Sequence, residues 1–209
     1  MELITLTGGS LATNSYLLVN DGYAIAFDFV PEKIEKYLKD KSLILESIFI
    51  THVHFDHIEG LGRFIKQNVK IKIYGNNNAI NGINSPASTL SLYSPAVDKE
   101  VQIDTSNAVI LKDDESLDWR GIKIRHIETP GHSICSSAYI IGDGEQVITG
   151  DTVFYLSVGR SDFPGGDHKK LISSIDKLFS RIDNNSRLYP GHGPSTTVGF
   201  EKENNPYLS

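Results

Sequence analysis

The segment Phe49–Gly60, with the sequence FITHVHFDHIEG, carries three of the seven histidines of this 209-residue chain. Alternate residues of an extended segment point the same way, so His52, His54 and Asp56 are expected to share a face. His57 follows the turn and is expected to approach from another side. Because imidazole nitrogen and carboxylate oxygen suit Zn²⁺ and Fe²⁺, the spacing predicts a metal site.

Three further short sequences place a polar residue just past a predicted strand. They are TPGHS with His132, TGDT with Asp151 and YPGHG with His192. Each lies beside glycine, which permits tight turns, and loops at strand ends often hold functional groups. The other two histidines, His126 and His168, lack this context and are interpreted as structural or surface residues.

The composition is that of a soluble globular chain with an acidic balance. The formal net charge of −6 disfavours phosphate-backbone binding and predicts no nucleic-acid partner. No apolar run approaches the roughly 20 residues that cross a bilayer, and the N-terminus lacks the basic start and apolar core of a secretory signal. Cys135 is the single cysteine, and we expect a buried small hydrophobe. A cytoplasmic protein without a membrane partner is predicted, folding as one domain over residues 1–209.

The periodicity predicts strands, helices and one long polar segment. Pro31 is expected to open a helix, a second helix is expected over Leu61–Gln67, and Asp167 is expected to cap an amphipathic helix over Asp167–Ile182. The polar stretch Gly75–Pro95 is interpreted as a surface excursion or lid. Sheets covered by helices are expected, with the topology left open. The predicted strands are Glu2–Thr7, Asn14–Val19, Tyr23–Asp28, Leu43–Ile50, Ile71–Tyr74, Val109–Leu111, Ile122–Ile127, Ala138–Ile141, Val147–Thr149 and Leu188–Tyr189.

The run THVHFDH resembles the HxHxDH signature of the metallo-β-lactamase superfamily, and the three later motifs follow in that superfamily's order. The resemblance covers nearly the whole chain. It implies an α+β fold, the four-layer αβ/βα sandwich, with a dinuclear metal site. Carried over by position, one metal is held by His52, His54 and His132, the other by Asp56, His57 and His192, and Asp151 bridges them.

The stretch Gly150–Asp167, GDTVFYLSVGRSDFPGGD, resembles a run in glyoxalase II-type hydrolases and their shorter relatives. The resemblance implies a metal-dependent hydrolase that cleaves S-lactoylglutathione or a related small acyl thioester by attack of a metal-bridging hydroxide. Asp56 and Asp151 are its implied catalytic carboxylates. Two divalent ions are implied as cofactors, with zinc expected and iron or manganese as alternatives.

Three features depart from the glyoxalase II pattern. The sequence closes on ENNPYLS, where full-length glyoxalase II supplies basic glutathione contacts, so specific glutathione binding stays open. Glu59 stands where many relatives have glycine. The turn FDFVPE differs from the family's, although Asp28 is kept and is expected to support a metal ligand.

Two residues are candidates for substrate binding. Arg160 can grip a substrate carboxylate in a bidentate manner, or it can pair with Asp162 or Asp167. Tyr155, together with Phe154 and Tyr93, can line an acyl pocket or simply pack.

Other functions share the same fold or the same composition. A mononuclear iron persulfide dioxygenase and a lactonase are the enzymatic alternatives. An RNA-processing nuclease is disfavoured by the acidic balance. A non-enzymatic binding protein is disfavoured by the complete ligand set, because a decayed site should show substitutions. The oligomeric state is left open.

Overall fold

The computed structural model describes residues 1–93 and 102–208, although the side chain of residue 93 is not described. The chain forms two compact units, Met1–Ile110 and Leu111–Ser209. Each unit is built around its own six-stranded sheet. The expectation of one domain over residues 1–209 stays a prediction.

The sheet of the first unit is mixed and follows the chain in strand order. Its first three strands pair antiparallel, and the third, fourth and fifth pair parallel. The hairpin between the second and third strands turns at Asp21 and Gly22, which both have positive φ, as an Asp-Gly turn favours. The strands are β1 (Glu2–Gly8), β2 (Thr13–Asn20), β3 (Tyr23–Phe27), β4 (Ile44–Phe49), β5 (Lys72–Asn76) and β6 (Ala108–Leu111).

Three helices accompany this sheet: α1 (Pro31–Lys41), α2 (Leu61–Gln67) and α3 (Asn77–Gly82). Proline opens α1 as predicted, since its fixed φ suits the first helical turn. The bounds of α2 agree with the predicted ones.

Strand β4 delivers the histidine-rich segment. It lies between β3 and β5, and its residues Ile48 and Phe49 are buried. The Phe49 ring stacks on Tyr74 with 4.6 Å between ring centroids and contacts Phe27 at 5.3 Å. After β4 the chain continues to a 3₁₀ turn at Phe55–His57. The packed strand end therefore fixes where the polar segment begins.

The sheet of the second unit has the strand order β14-β13-β10-β9-β8-β7. The pair β10–β13 is parallel, and the other pairs are antiparallel. A separate hairpin pairs β11 with β12. The strands are β7 (Ser116–Trp119), β8 (Ile122–Glu128), β9 (Ser137–Ile141), β10 (Gln146–Gly150), β11 (Val153–Phe154), β12 (Ser157–Val158), β13 (Arg187–Pro190) and β14 (Thr196–Thr197).

Two helices belong to the second unit: α4 (His168–Phe179) and α5 (Val198–Asn204). Asp167 caps α4 by accepting a hydrogen bond from the Lys170 backbone N–H at 3.1 Å, as predicted. The apolar face of α4 enters the buried cluster formed with sheet residues such as Ile127 and Val147. In the part of the chain that the structure describes, no helix is long and apolar enough to cross a bilayer.

The interpretation of Gly75–Pro95 as a surface excursion is wrong in its first part. Strand β5 runs on to Asn76, which then caps α3 by accepting a hydrogen bond from the Ala79 N–H at 2.8 Å. The sequence signal for this short helix is therefore the capping asparagine and not a repeat of apolar residues. Residues 94 and 95 lie outside the described residues.

Candidate functional site

The first unit brings the four predicted ligands of the HxHxDH run together. His52, His54, Asp56 and His57 are all buried. His52 Nε2 and His54 Nδ1 lie 3.1 Å apart. The His52 and His57 ring centroids are separated by 4.1 Å, and His57 Nε2 lies 3.4 Å from Asp56 Oδ2. The predicted convergence within this run is therefore present.

Asp28 fixes the orientation of this cluster. It is 2% exposed, and its carboxylate accepts hydrogen bonds from the Thr51 N–H at 2.8 Å, the Thr51 hydroxyl at 2.7 Å and His57 Nδ1 at 2.7 Å. With its Nδ1 hydrogen directed to Asp28, His57 presents Nε2 as the lone-pair nitrogen. The expectation that Asp28 supports a ligand thus has a geometric basis.

Thr51 orients His52 in the same way. The Thr51 hydroxyl hydrogen is directed to Asp28, so its oxygen accepts from His52 Nδ1 at 3.1 Å. This leaves His52 Nε2 as the lone-pair nitrogen on the side of His54. The two ring nitrogens, His52 Nε2 and His54 Nδ1, lie close enough together to bind the same cation.

Asp56 is oriented from β2. The Thr13 hydroxyl donates to Asp56 Oδ2 at 2.8 Å, and both residues are buried. The turn before Thr13 is also attached to the ligand segment, because Glu59 accepts hydrogen bonds from the Ser10 N–H at 2.9 Å and the Ser10 hydroxyl at 3.1 Å. The departure from glycine at Glu59 therefore adds an anchor for this turn.

The second unit brings its three predicted ligands together around one carboxylate. Asp151 Oδ2 lies 3.5 Å from His132 Nε2 and 3.6 Å from His192 Nε2. His132 and Asp151 are buried, whereas 30% of the His192 side chain is exposed. One carboxylate oxygen between two imidazole nitrogens has the chemistry expected of a shared metal ligand.

The backbone of the Gly159–Arg160 segment fixes His132. Its Nδ1 donates to the Arg160 carbonyl oxygen at 2.7 Å, which leaves Nε2 to face Asp151. A Cβ at Gly159 would lie 1.9 Å from the Asp151 carbonyl oxygen and 3.1 Å from the His132 Cβ. Only glycine fits this close approach.

The Arg160 side chain is engaged within its own loop. Its guanidinium donates to both carboxylate oxygens of Asp162, each at 2.8 Å, and lies 3.9 Å above the Phe163 ring. This ion pair lowers the pKa of Asp162 to about 2. Of the two roles considered for Arg160, this geometry favours the pairing with Asp162. Its part in substrate binding stays a prediction.

Two of the three aromatic candidates for an acyl pocket have different neighbours, and the side chain of the third, Tyr93, lies outside the described residues. Tyr155 is 46% exposed and stacks on Phe200 at 5.3 Å. Phe154 instead lies beside the predicted ligand His192, with 6.2 Å between ring centroids. Substrate binding by Tyr155 stays a prediction.

His126 and His168 have the structural and surface positions expected of them. His126 is buried, donates from Nδ1 to the Lys112 carbonyl at 2.8 Å and accepts at Nε2 from the Ser137 hydroxyl at 2.8 Å. Burial lowers its pKa below the ordinary 6.5. His168 is exposed at the start of α4.

Sequence reasoning missed Thr13, Thr51 and the Arg160 carbonyl. A threonine beside a histidine was a weak signal for Thr51. Nothing local marked Thr13, which lies 43 residues before Asp56. Taken unit by unit, each cluster offers buried or half-buried histidine and aspartate donors, a set suited to zinc or iron.

Two curated relatives match most of the chain. A probable metallo-hydrolase of Bacillus subtilis, YqgX, is 31% identical over 204 residues, covering 96% of this chain and 94% of that protein. The hydroxyacylglutathione hydrolase GloC of Haemophilus influenzae is 29% identical over 180 residues, covering 85% of this chain and 82% of that protein.

Two solved structures are similar over nearly the full length of the chain. The crystal structure of the BLEG-1 B3 metallo-β-lactamase has a TM-score of 0.89 at 29% identity and covers 100% of both chains. The di-iron-bound form of TTHA1623 has a TM-score of 0.81 at 30% identity, covering 98% of this chain and 100% of that one. These similarities confirm the predicted fold class, the α+β metallo-β-lactamase fold.

The model of the metallo-β-lactamase superfamily matches residues 8–192. This range begins in β1, ends at His192 and contains every predicted metal ligand. It agrees with the relatives, the structures and the two histidine–aspartate clusters, so the chain belongs to the metallo-β-lactamase superfamily of metallo-hydrolases.

Proposed function

We propose that the chain is a metal-dependent thioester hydrolase whose two histidine–aspartate clusters act as one dinuclear centre. The observation that carries the proposal is that the imidazoles of His52, His57 and His132 each direct Nδ1 to a protein oxygen. Each of the three therefore presents Nε2 with its lone pair, which is the form of imidazole that can bind a metal. Family membership supports joining the clusters, because the superfamily uses a dinuclear site.

The ligand assignment follows the superfamily pattern. In the proposed centre, one ion would be held by His52, His54 and His132, the other by Asp56, His57 and His192, and Asp151 would serve both. Zinc is the proposed ion, with iron as the alternative that the di-iron form of TTHA1623 supports. Two divalent ions bound here would lower the pKa of a bound water molecule, and their positive charge would stabilise the negative charge of a developing oxyanion.

The residues around the ions have positioning roles. Asp28 and the Arg160 carbonyl keep the imidazoles in the metal-binding tautomer, and Thr13 holds the Asp56 carboxylate. The His192 side chain is 30% exposed, which supports an approach of the substrate from its side. A thiolate leaves readily from an acyl group, so this reaction requires no residue to protonate it.

The similarity to GloC supports an acyl thioester as the substrate class. The Arg160 guanidinium forms an ion pair with Asp162. This pairing disfavours a role for Arg160 in binding a carboxylate of glutathione. We therefore propose a small acyl thioester with weak selection for its thiol. The single cysteine, Cys135, is compatible with the reducing cytoplasm as the site of action.

A paired substrate comparison tests this proposal. The kcat/KM of S-lactoylglutathione and of a lactoyl thioester of a small neutral thiol are measured on the metal-loaded protein. We expect hydrolysis of both, with the glutathione ester favoured by less than about 100-fold, which corresponds to roughly 2.7 kcal/mol. No hydrolysis of either ester would contradict the thioesterase proposal, and a larger preference would contradict the weak selection for thiol.

A β-lactamase activity is the second candidate, because the BLEG-1 structure matches this chain over its full length. The same assays with a penicillin and a carbapenem distinguish the two functions. We expect thioester hydrolysis to exceed β-lactam hydrolysis in kcat/KM, and the reverse order would favour the lactamase. Oxygen uptake with a persulfide and hydrolysis of a lactone test the remaining alternatives.

A further inference from the structure

The hairpin β11–β12 has a two-residue turn, Tyr155–Leu156, whose conformation is held from outside. Leu156 has φ +55°, a left-handed conformation that a leucine adopts only at a cost of roughly 1–2 kcal/mol. Its backbone N–H donates to Glu201 Oε2 at 3.0 Å. A residue of α5 therefore stabilises a strained turn that precedes it by 45 positions.

Glu201 is a buried glutamate that anchors the hairpin turn. It is 0% exposed, and besides Leu156 it accepts hydrogen bonds from the Thr196 hydroxyl and from Asn205 Nδ2, the latter at 2.7 Å. Asn205 is also buried and donates from the same nitrogen to the Ser157 carbonyl at 3.0 Å. The hairpin is thus bound at two consecutive residues, through the N–H of Leu156 and the carbonyl of Ser157.

The two aromatic rings of the hairpin lie on different neighbours. Tyr155 stacks on Phe200 of α5, with 5.3 Å between centroids and 10° between ring planes. Phe154 lies beside His192, with 6.2 Å between centroids and 66° between planes. Holding the turn on α5 therefore sets the position of Phe154 next to the partly exposed imidazole of His192.

We infer that Phe154 is a specificity-determining residue that contacts the acyl group of the substrate, and that Glu201 is the positioning residue that holds it there. This inference rests on the proposed function, which makes His192 a metal ligand on the open side. Tyr155 then stabilises the hairpin through Phe200 rather than contacting the acyl group. Neither Glu201 nor Asn205 acts on the reacting atoms.

The test compares Glu201→Ala and Glu201→Gln with the control Glu203→Ala, which removes an exposed carboxylate from the same helix. The glutamine variant keeps the shape and can accept from Leu156 while its amide donates to the Thr196 hydroxyl. Amide hydrogen exchange of Leu156 is measured first. We expect Glu201→Ala to lose about tenfold or more of the protection at Leu156, while Glu201→Gln and the control keep it.

The kinetic measurement varies the acyl chain from acetyl to hexanoyl on one thiol. For Glu201→Ala and for Phe154→Ala we expect KM to rise about tenfold for the longer chains with kcat nearly unchanged. We expect Glu201→Gln to keep the wild-type KM. The metal content of all variants should equal that of the wild type.

Each contrary result has a distinct meaning. Unchanged exchange at Leu156 in Glu201→Ala would overturn the positioning role of Glu201, whether or not thioesters are substrates. A fall in kcat with unchanged KM, or an acyl-chain profile that Phe154→Ala leaves as in the wild type, would overturn the specificity role. If the wild type cleaved no thioester, the proposed function and the role of Phe154 would fail together. The positioning role of Glu201 would then still be decided by the hydrogen exchange at Leu156.

Discussion

At the scale of single residues, the candidate site depends on protein oxygens that accept hydrogen bonds from Nδ1 of the histidines. Asp28 serves His57, the Thr51 hydroxyl serves His52, and the Arg160 carbonyl serves His132. Each contact directs the opposite nitrogen towards the proposed metals. Loss of such a contact should weaken metal binding more than it weakens the fold.

Asp28→Asn is the sharpest test of this role. Asparagine tolerates the left-handed conformation of Asp28, which has φ +57°, so the backbone is preserved while the charge is removed. We expect metal affinity to fall by about 10–100-fold, measured by competition with a chelator. Asp21→Asn is the matched control, because Asp21 is also left-handed, with φ +49°, but is exposed in a hairpin turn. Equal metal affinity in the two variants would contradict the role of Asp28.

Gly159→Ala and Arg160→Ala form a second pair. The alanine methyl at position 159 would lie 1.9 Å from the Asp151 carbonyl oxygen, so the backbone must move. We expect about 1–3 kcal/mol of lost unfolding free energy, measured by denaturant titration, together with reduced metal content. Arg160→Ala keeps the carbonyl that serves His132 and should retain its metals. Metal loss in Arg160→Ala alone would show that the side chain matters more than the backbone.

The ligand types and their spacing could be predicted at this scale, and the partners of the ligands largely could not. The alternate spacing of His52, His54 and Asp56 depends only on the local backbone conformation, so it can be predicted from the sequence. Thr13 acts through a contact across 43 residues, and the Arg160 backbone acts without regard to its side chain. Such contacts depend on the assembled sheets.

At the scale of elements, strand β8 carries a buried histidine that should make stability depend on pH. Burial favours the neutral form of His126 in the fold and lowers its pKa below 6.5, even though the Lys112 carbonyl and the acidic Glu128, Asp113 and Glu115 act to raise it. In the unfolded chain it binds a proton more readily. Its contribution to stability is therefore present above pH 6.5 and is lost as the pH falls below that value.

His126→Gln should accordingly show a shallower decline of unfolding free energy between pH 7 and 5, within the range that the pKa of about 6.5 sets. Denaturant titrations at several pH values measure this slope. His168→Gln, at the exposed start of α4, is the control and should keep the wild-type slope. Identical slopes for wild type and His126→Gln would contradict the buried neutral state of His126.

The elements that the sequence predicted are those with a repeating apolar pattern. Helix α2 matched its predicted bounds, and Asp167 caps α4 as expected. The prediction missed β7, β11, β12, β14, α3 and α5. Three of these strands are two residues long, which is too short for a period. Helix α5 has only seven residues, and buried Glu201 occupies its inner face where an apolar residue would be expected.

At the scale of the whole molecule, the seven proposed ligands are divided between the two compact units. The spacing within HxHxDH predicted the first cluster, but no local pattern could connect it to His132, Asp151 and His192. Only the resemblance to the superfamily made that connection, and the family match over residues 8–192 gives it support. The joint dinuclear centre is therefore the central claim to test.

The number of metal ions per chain, measured by elemental analysis after gentle purification and reconstitution, tests this claim most directly. The account predicts two ions in the wild type and in the control His168→Ala, and one ion in His192→Ala, which loses a ligand of the second site only. Asp151→Asn should damage both sites, because its carboxylate serves both. One ion in the wild type, or two in His192→Ala, would contradict the dinuclear assignment.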